Sequence, residues 1–163
     1  YGPIFNEVEA LIPEKCNRLM GTNGQEKMSK SLGNAIYLSD DADAVQKKVM
    51  GMYTDPNHLR ASDPGKVEGN PVFTYLDVFG SDTQKIQEMK DHYTRGGLGD
   101  VVVKKYLNEV LQNFLDPIRA RRKEFEDNQD HLRSLLQQGT ADVRAIAEQT
   151  IKKVKTAIGL TYI

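Results

Sequence analysis

From Ser39 onward the chain carries a helical apolar period, and no other feature constrains its fold as tightly. Tyr106, Leu107, Val110, Leu111, Phe114, Leu115 and Ile118 recur at steps of three and four. That spacing places them on one face of a helix opening at Asp100. Upstream, Asp40 or Asp41 can cap a helix whose inward positions are Ala42, Val45, Val49 and Met52. Asn70 followed by Pro71 is a start signal for a short apolar helix through Val72, Phe73, Tyr75, Leu76 and Phe79. Ser81 and Gln84 have capping-box spacing for a third helix, which Gly96 and Gly97 stop. Pro117 has no backbone N–H to donate, so a kink or break is expected near Asp116. The pattern resumes through Phe125, Leu132, Leu135 and Leu136 up to Gly139. Thr140 then caps a last helix with Val143, Ile146, Ile151, Val154 and Ile158 inward, ended by Gly159. The expectation is a bundle of five or six helices.

The first forty residues differ in kind. Gly2, Pro3, Pro13, Gly21, Gly24 and Gly33 divide them into short apolar pieces, read as short strands and loops. This is too little to close a sheet alone, because strands need partners. The 163 residues suffice for one domain, or one domain and part of another. With 39% hydrophobic and 28% charged residues the chain is set apart from disordered, collagenous and membrane classes. Its longest apolar run, residues 35–38, is far too short for a bilayer, and no secretory signal opens the chain. The single cysteine, Cys16, excludes an internal disulfide and a cysteine-rich zinc site, which fits a reducing, cytoplasmic setting. A net charge of −1 neither supplies nor excludes a local cationic patch for nucleic acid. The opening on Tyr1, without an initiator methionine, reads as a fragment lacking its N-terminal portion.

One segment carries chemistry. "GTNGQEKMSKSLGN", residues 21–34, sets Lys27 and Lys30 three apart between glycine-marked turns, with Ser29 and Ser31 interleaved. Two ammonium groups on a mobile segment can both approach a triphosphate, while the serines and backbone N–H groups add hydrogen bonds. When an α-phosphate is attacked, charge grows on the departing pyrophosphate, and a lysine that tightens then lowers the barrier selectively. A contact at about 4 Å is worth roughly 4 kcal/mol at an effective dielectric of about 20. Realised mainly in the transition state, that is a rate gain on the order of a hundred to a thousandfold. The plain alternative is a solvated surface loop, since serine and lysine are common on surfaces.

The pentamer Lys27-Met28-Ser29-Lys30-Ser31 resembles the signature loop of class I aminoacyl-tRNA synthetases. "NRLMG", "KMSKSLGNAIYLSDD", "VMGMYTDPNHLRASDPGKVEGNPVFTYLDVF" and the final "IKKVKTAIGL" are similar to the bacterial tryptophanyl members, so the resemblance spans essentially the whole chain. It implies a mainly α chain: residues 1–39 as the C-terminal part of a Rossmann-type α/β catalytic domain, residues 40–163 as a helical domain that meets the tRNA anticodon. It also implies ATP as substrate, with magnesium carried on it, and L-tryptophan and tRNA(Trp) as partners of a homodimeric parent enzyme with no membrane attachment. Tryptophan is activated to its adenylate with release of pyrophosphate and then transferred to tRNA. Lys27 and Lys30 take the phosphate-contacting role by this resemblance, Lys30 foremost, within an ATP-binding set of Lys27, Met28, Ser29, Lys30 and Ser31. The adenine would lie against backbone near Leu19 and Met20. The family's other ATP motif, of His-x-Gly-His type, has no counterpart here: His58, His92 and His131 stand in "NHLR", "DHYT" and "DHLR". The chain alone is therefore expected not to activate an amino acid. A tyrosyl-tRNA synthetase fragment shares the fold and a version of the loop, and a non-enzymatic helical module binding RNA or protein is the alternative of another class.

Further candidates have two readings each. Arg119, Arg121, Arg122 and Lys123, beside Phe125, form either a phosphate-contacting patch for tRNA or a solvated face paired with Glu124, Glu126 and Asp127. Lys152, Lys153 and Lys155 pose the same choice. Asp40, Asp41 and Asp43 read as helix capping rather than as a cation site. The three histidines lack the spacing of a shared metal site and read as surface residues.

Overall fold

The computed structural model describes residues 1–13, 16, 18–25 and 27–160. It is mainly α, with five helices among the described residues: α1 (Ala42–Met50), α2 (Pro71–Phe79), α3 (Thr83–Arg95), α4 (Asp100–Glu126) and α5 (Gln129–Ala157). The expected short strands are absent from the described residues; an isolated antiparallel bridge pairs Met20 with Lys27. The chain divides into two compact units, Ile12–Ala120 and Tyr1–Leu11 with Arg121–Ile163.

In the unit Ile12–Ala120, caps fix where each helix begins. Asp41 accepts the Ala44 N–H at 2.7 Å at the start of α1, and Asn70 accepts the Val72 N–H at 3.0 Å ahead of Pro71. Asp82, rather than Ser81, caps α3 by accepting the Lys85 N–H at 3.0 Å. Gly96, at φ 86°, ends α3 in a backbone region that side chains rarely adopt. The core gathers around α2, where Pro71, Val72, Phe73, Tyr75 and Leu76 are all buried. Asp77 is its single exposed residue, and a helix apolar around the rest of its surface must sit inside the fold. Val45 and Val49 of α1 reach it, as do Ile86 and Tyr93 of α3 and the stripe Val103, Leu107, Leu111 and Leu115 of α4.

Two polar side chains inside this unit were not anticipated. Lys104 is buried and donates to the carbonyls of Met50 and Met52, at 3.1 and 2.7 Å, where α1 runs out of its own donors. His58, expected at the surface, is buried: its Nδ1 lies 3.2 Å from Asp100 Oδ1 and its ring packs on Tyr93. The Tyr93 hydroxyl donates to the same Asp100 oxygen at 2.7 Å, and Thr54 donates to the other at 3.1 Å. Asp100 thus pins the polar loop of residues 54–70 to the start of α4. Sequence spacing around a histidine carries no sign of such a partner 42 positions away.

Neither long helix is broken at Pro117 or Gly139. α4 continues through Pro117. Pro117 and Asn113, whose carbonyl loses its helical donor, are both exposed, so that carbonyl is open to solvent. α5 continues through Gly139, where glycine lowers helix propensity by about 1 kcal/mol without forcing an end. The real break lies at residues 127–128, where Asn128 caps α5 by accepting the His131 N–H at 3.2 Å. The expected inward stripe is not inward either: no residue of α5 is buried. Val143 and Ile146 are 65% and 66% exposed, Ile151 and Ile158 are exposed, and Val154 is half-buried.

Candidate functional site

The site lies in the unit Ile12–Ala120 and is built on the segment from Leu19 to Asn34. Its base is fixed first. Tyr75, 1% exposed on α2, donates its hydroxyl to the Met20 carbonyl at 2.8 Å. Burial pushes the phenol up to about 12, with Cys16 adding to the effect, so the group stays a donor at neutral pH. Thr22 accepts the Tyr53 N–H at 2.9 Å and donates its own N–H to the Asn34 carbonyl at 2.8 Å. The two ends of the loop are therefore tied to each other and to the chain that follows α1.

Between these ends stand the lysines. Lys27 and Lys30 are exposed, and among the described residues neither ammonium has an ion-pair partner. Met28, between Lys27 and Ser29, turns inward and packs against the core beside an apolar cavity of about 220 Å³ shared with Leu19, Ile36, Phe79 and Leu111. The Ser29 and Ser31 hydroxyls lie 2.9 Å apart. Gly33, at φ 65°, closes a turn in which its N–H donates to the Lys30 carbonyl at 3.3 Å. The arrangement leaves two cationic side chains in solvent on a backbone held from beneath.

Asn34 does most of that holding. It is 4% exposed, and its Oδ1 accepts the Ser29 N–H at 2.8 Å. Its Nδ2 donates to Asn23 Oδ1 at 3.2 Å and to the Lys27 carbonyl at 3.3 Å. Gly21 makes room for it, because a Cβ at Gly21 would stand 2.1 Å from Asn34 Nδ2. Sequence reasoning placed Leu19, Met20 and residues 27–31 at the site and missed Asn34, Tyr75 and Gly21. A buried asparagine inside a glycine-rich loop reads on paper as turn chemistry.

The arginine cluster is partly committed elsewhere. Arg119 pairs with Asp116 and also donates to Gln112 Oε1 and to the Asp40 carbonyl, so its guanidinium ties α4 to the start of α1. Arg119 belongs to the unit Ile12–Ala120, whereas Arg121, Arg122 and Lys123 belong to the other. Arg122 pairs with Glu126 at 2.6 Å, and Arg121 and Lys123 are exposed. Of the acidic trio, Asp41 caps α1, Asp43 lies in its first turn and Asp40 pairs with Lys48, all structural uses.

A family profile described as tRNA synthetases class I (W and Y) matches residues 1–116. The tryptophan–tRNA ligase of Clostridium longisporum is 56% identical over 160 residues, covering 98% of this chain and 47% of the relative. That of Streptococcus pneumoniae is 54% identical over 163 residues, covering 98% of this chain and 48% of the relative. Among solved structures, tryptophanyl-tRNA synthetase from Campylobacter jejuni, complexed with ADP and tryptophan, aligns with a TM-score of 0.75 at 29% identity, over 96% of this chain and 48% of that one. The Giardia lamblia enzyme aligns with a TM-score of 0.55 at 25% identity, over 66% of this chain and 27% of that one. The chain belongs to the class I tRNA synthetase family of the tryptophan and tyrosine type. It spans about half the length of the curated relatives it matches.

Proposed function

We propose that the chain works as part of a tryptophan–tRNA ligase, contributing the phosphate-handling loop and a helical tRNA-docking body. The whole enzyme would activate L-tryptophan with ATP, release pyrophosphate and transfer the amino acid to tRNA(Trp). Residues 1–39 would belong to the Rossmann-type catalytic domain and residues 40–163 to the helical anticodon-binding domain. The carrying observation is the pair Lys27 and Lys30, both exposed on a loop whose backbone is tied at Met20, Thr22, Ser29 and Asn34.

That geometry suits a leaving-group clamp. The lysine stems project without protein partners among the described residues, while backbone groups at Lys27 and Ser29 are hydrogen-bonded to Asn34, which lowers the ordering cost of ATP binding. Magnesium enters on the ATP phosphates, and the lysines neutralise charge that accumulates as pyrophosphate departs. Ser29, Ser31 and loop N–H groups add hydrogen bonds around the same phosphates. The Met20 carbonyl, held by Tyr75, fits an adenine contact through backbone. Arg121 and Lys123 are the exposed cations best placed for tRNA phosphates, with Arg119 and Arg122 drawn into protein pairs. The parent would act as a homodimer, and the isolated chain would not form adenylate.

The sequence relatives at 52–56% identity are tryptophan–tRNA ligases, which favours tryptophan over tyrosine as substrate. ATP–pyrophosphate exchange by the whole enzyme tests this directly. Exchange dependent on tryptophan and indifferent to tyrosine is expected; tyrosine-dependent exchange would reverse the substrate assignment.

A further inference from the structure

Asn34 lies outside the lysine pentamer, yet its side chain brackets it. The carboxamide oxygen takes the Ser29 N–H, and the carboxamide nitrogen reaches the Lys27 carbonyl and the Asn23 side chain. These bonds span five, seven and eleven positions, whereas the turn chemistry of asparagine is local, acting over two or three. The socket is built: Asn34 is buried, and Gly21 leaves the one space its Nδ2 occupies. Every contact is to the backbone or to Asn23, so none restrains either lysine side chain. An asparagine serving only the fold would not need to seize the peptide groups on both sides of Met28. Met28 in turn anchors that backbone on the core.

The geometry points to Asn34 as a positioning residue for adenylate formation, holding the backbone from which Lys27 and Lys30 reach the departing pyrophosphate. This rests on the proposed ligase reading of the loop. Without the carboxamide, the peptide groups at Lys27 and Ser29 lose their partners and the lysines start from many backbone geometries. Misplacement on the scale of about 1 Å costs up to roughly a hundredfold in rate. The loss should appear in kcat, because the lysines act on charge that exists only as the bond breaks. Tryptophan binding, made elsewhere, should stay as it was.

The test is a double-mutant cycle in the whole ligase, read by tryptophan-dependent ATP–pyrophosphate exchange with active-site titration. Asn34→Ala should lower kcat about tenfold or more, with KM for tryptophan changed less than about twofold. In a background lacking both lysines (Lys27→Ala with Lys30→Ala, treated as one change in the cycle), it should add less than about twofold further, because it acts through those two lysines. Asn34→Asp keeps the acceptor for Ser29 and loses both donor contacts. It should show a smaller kcat loss with the same non-additivity, and it carries the cycle should Asn34→Ala fail to fold. Unchanged kcat, or losses that multiply in the combined variant, would overturn the positioning role while leaving the ligase reading intact. Lys30→Ala alone with unaltered exchange would instead overturn the ligase reading of the loop, and this inference with it.

Discussion

The Tyr75 hydroxyl donates to the Met20 carbonyl at 2.8 Å, joining residues 55 positions apart and seating the lysine loop on the most buried helix of its unit. Tyr75→Phe keeps the ring and removes this one bond, leaving the Met20 carbonyl without its donor. The expected cost is about 1–3 kcal/mol, seen as a lower urea midpoint at constant slope. In the whole enzyme, on the proposed ligase reading, KM for ATP should rise about fivefold, the equivalent of one hydrogen bond worth ~1 kcal/mol.

Lys104 offers a test that depends on pH. Burial lowers its pKa from the ordinary 10.5, against a smaller opposing pull from Asp100. Below both values the charged amine is a cost to the fold; as pH rises through the folded value the folded state sheds its proton before the unfolded state does. The unfolded chain then binds more protons, so stability grows with pH across the window just below 10.5. Lys104→Met removes this titration along with the donors to Met50 and Met52. The variant should be less stable by about 1–3 kcal/mol at neutral pH. Paired unfolding curves should show the gap to wild type widening as pH approaches 10.

The contrast between α4 and α5 can be measured by truncation. Leu107 is 0% exposed, and Leu107→Ala should cost about 2–5 kcal/mol through lost burial and the cavity left behind. Ile146→Ala, at an exposed position of α5, should stay within about 0.5 kcal/mol in the same chain. Thermal unfolding of the two variants side by side checks both values.

The helical outline was legible because its signals are local. Asp41, Asn70 with Pro71, and Gly96 are caps that act over a few residues, and the α4 stripe needs only its own period. The same local reasoning put a helix end at Gly139 and allowed one at Pro117, but both helices run on, because residues that discourage helix meet no structural demand for an end there. It failed again in α5, because apolar periodicity marks a face able to pack and is silent on whether something packs there. At the site, the lysines announced themselves by type and spacing. Their supports did not, because Asn34, Tyr75 and Gly21 act through long-range contacts that leave no trace in neighbouring residues.

The central proposal is that the loop cations stabilise departing pyrophosphate, and replacing Lys30 in the proposed whole ligase measures it most directly. Lys30→Ala should reduce tryptophan-dependent ATP–pyrophosphate exchange by about a hundredfold or more, with tryptophan affinity by equilibrium titration nearly unchanged. An exchange rate equal to wild type, or a loss traced wholly to tryptophan binding, would contradict the account.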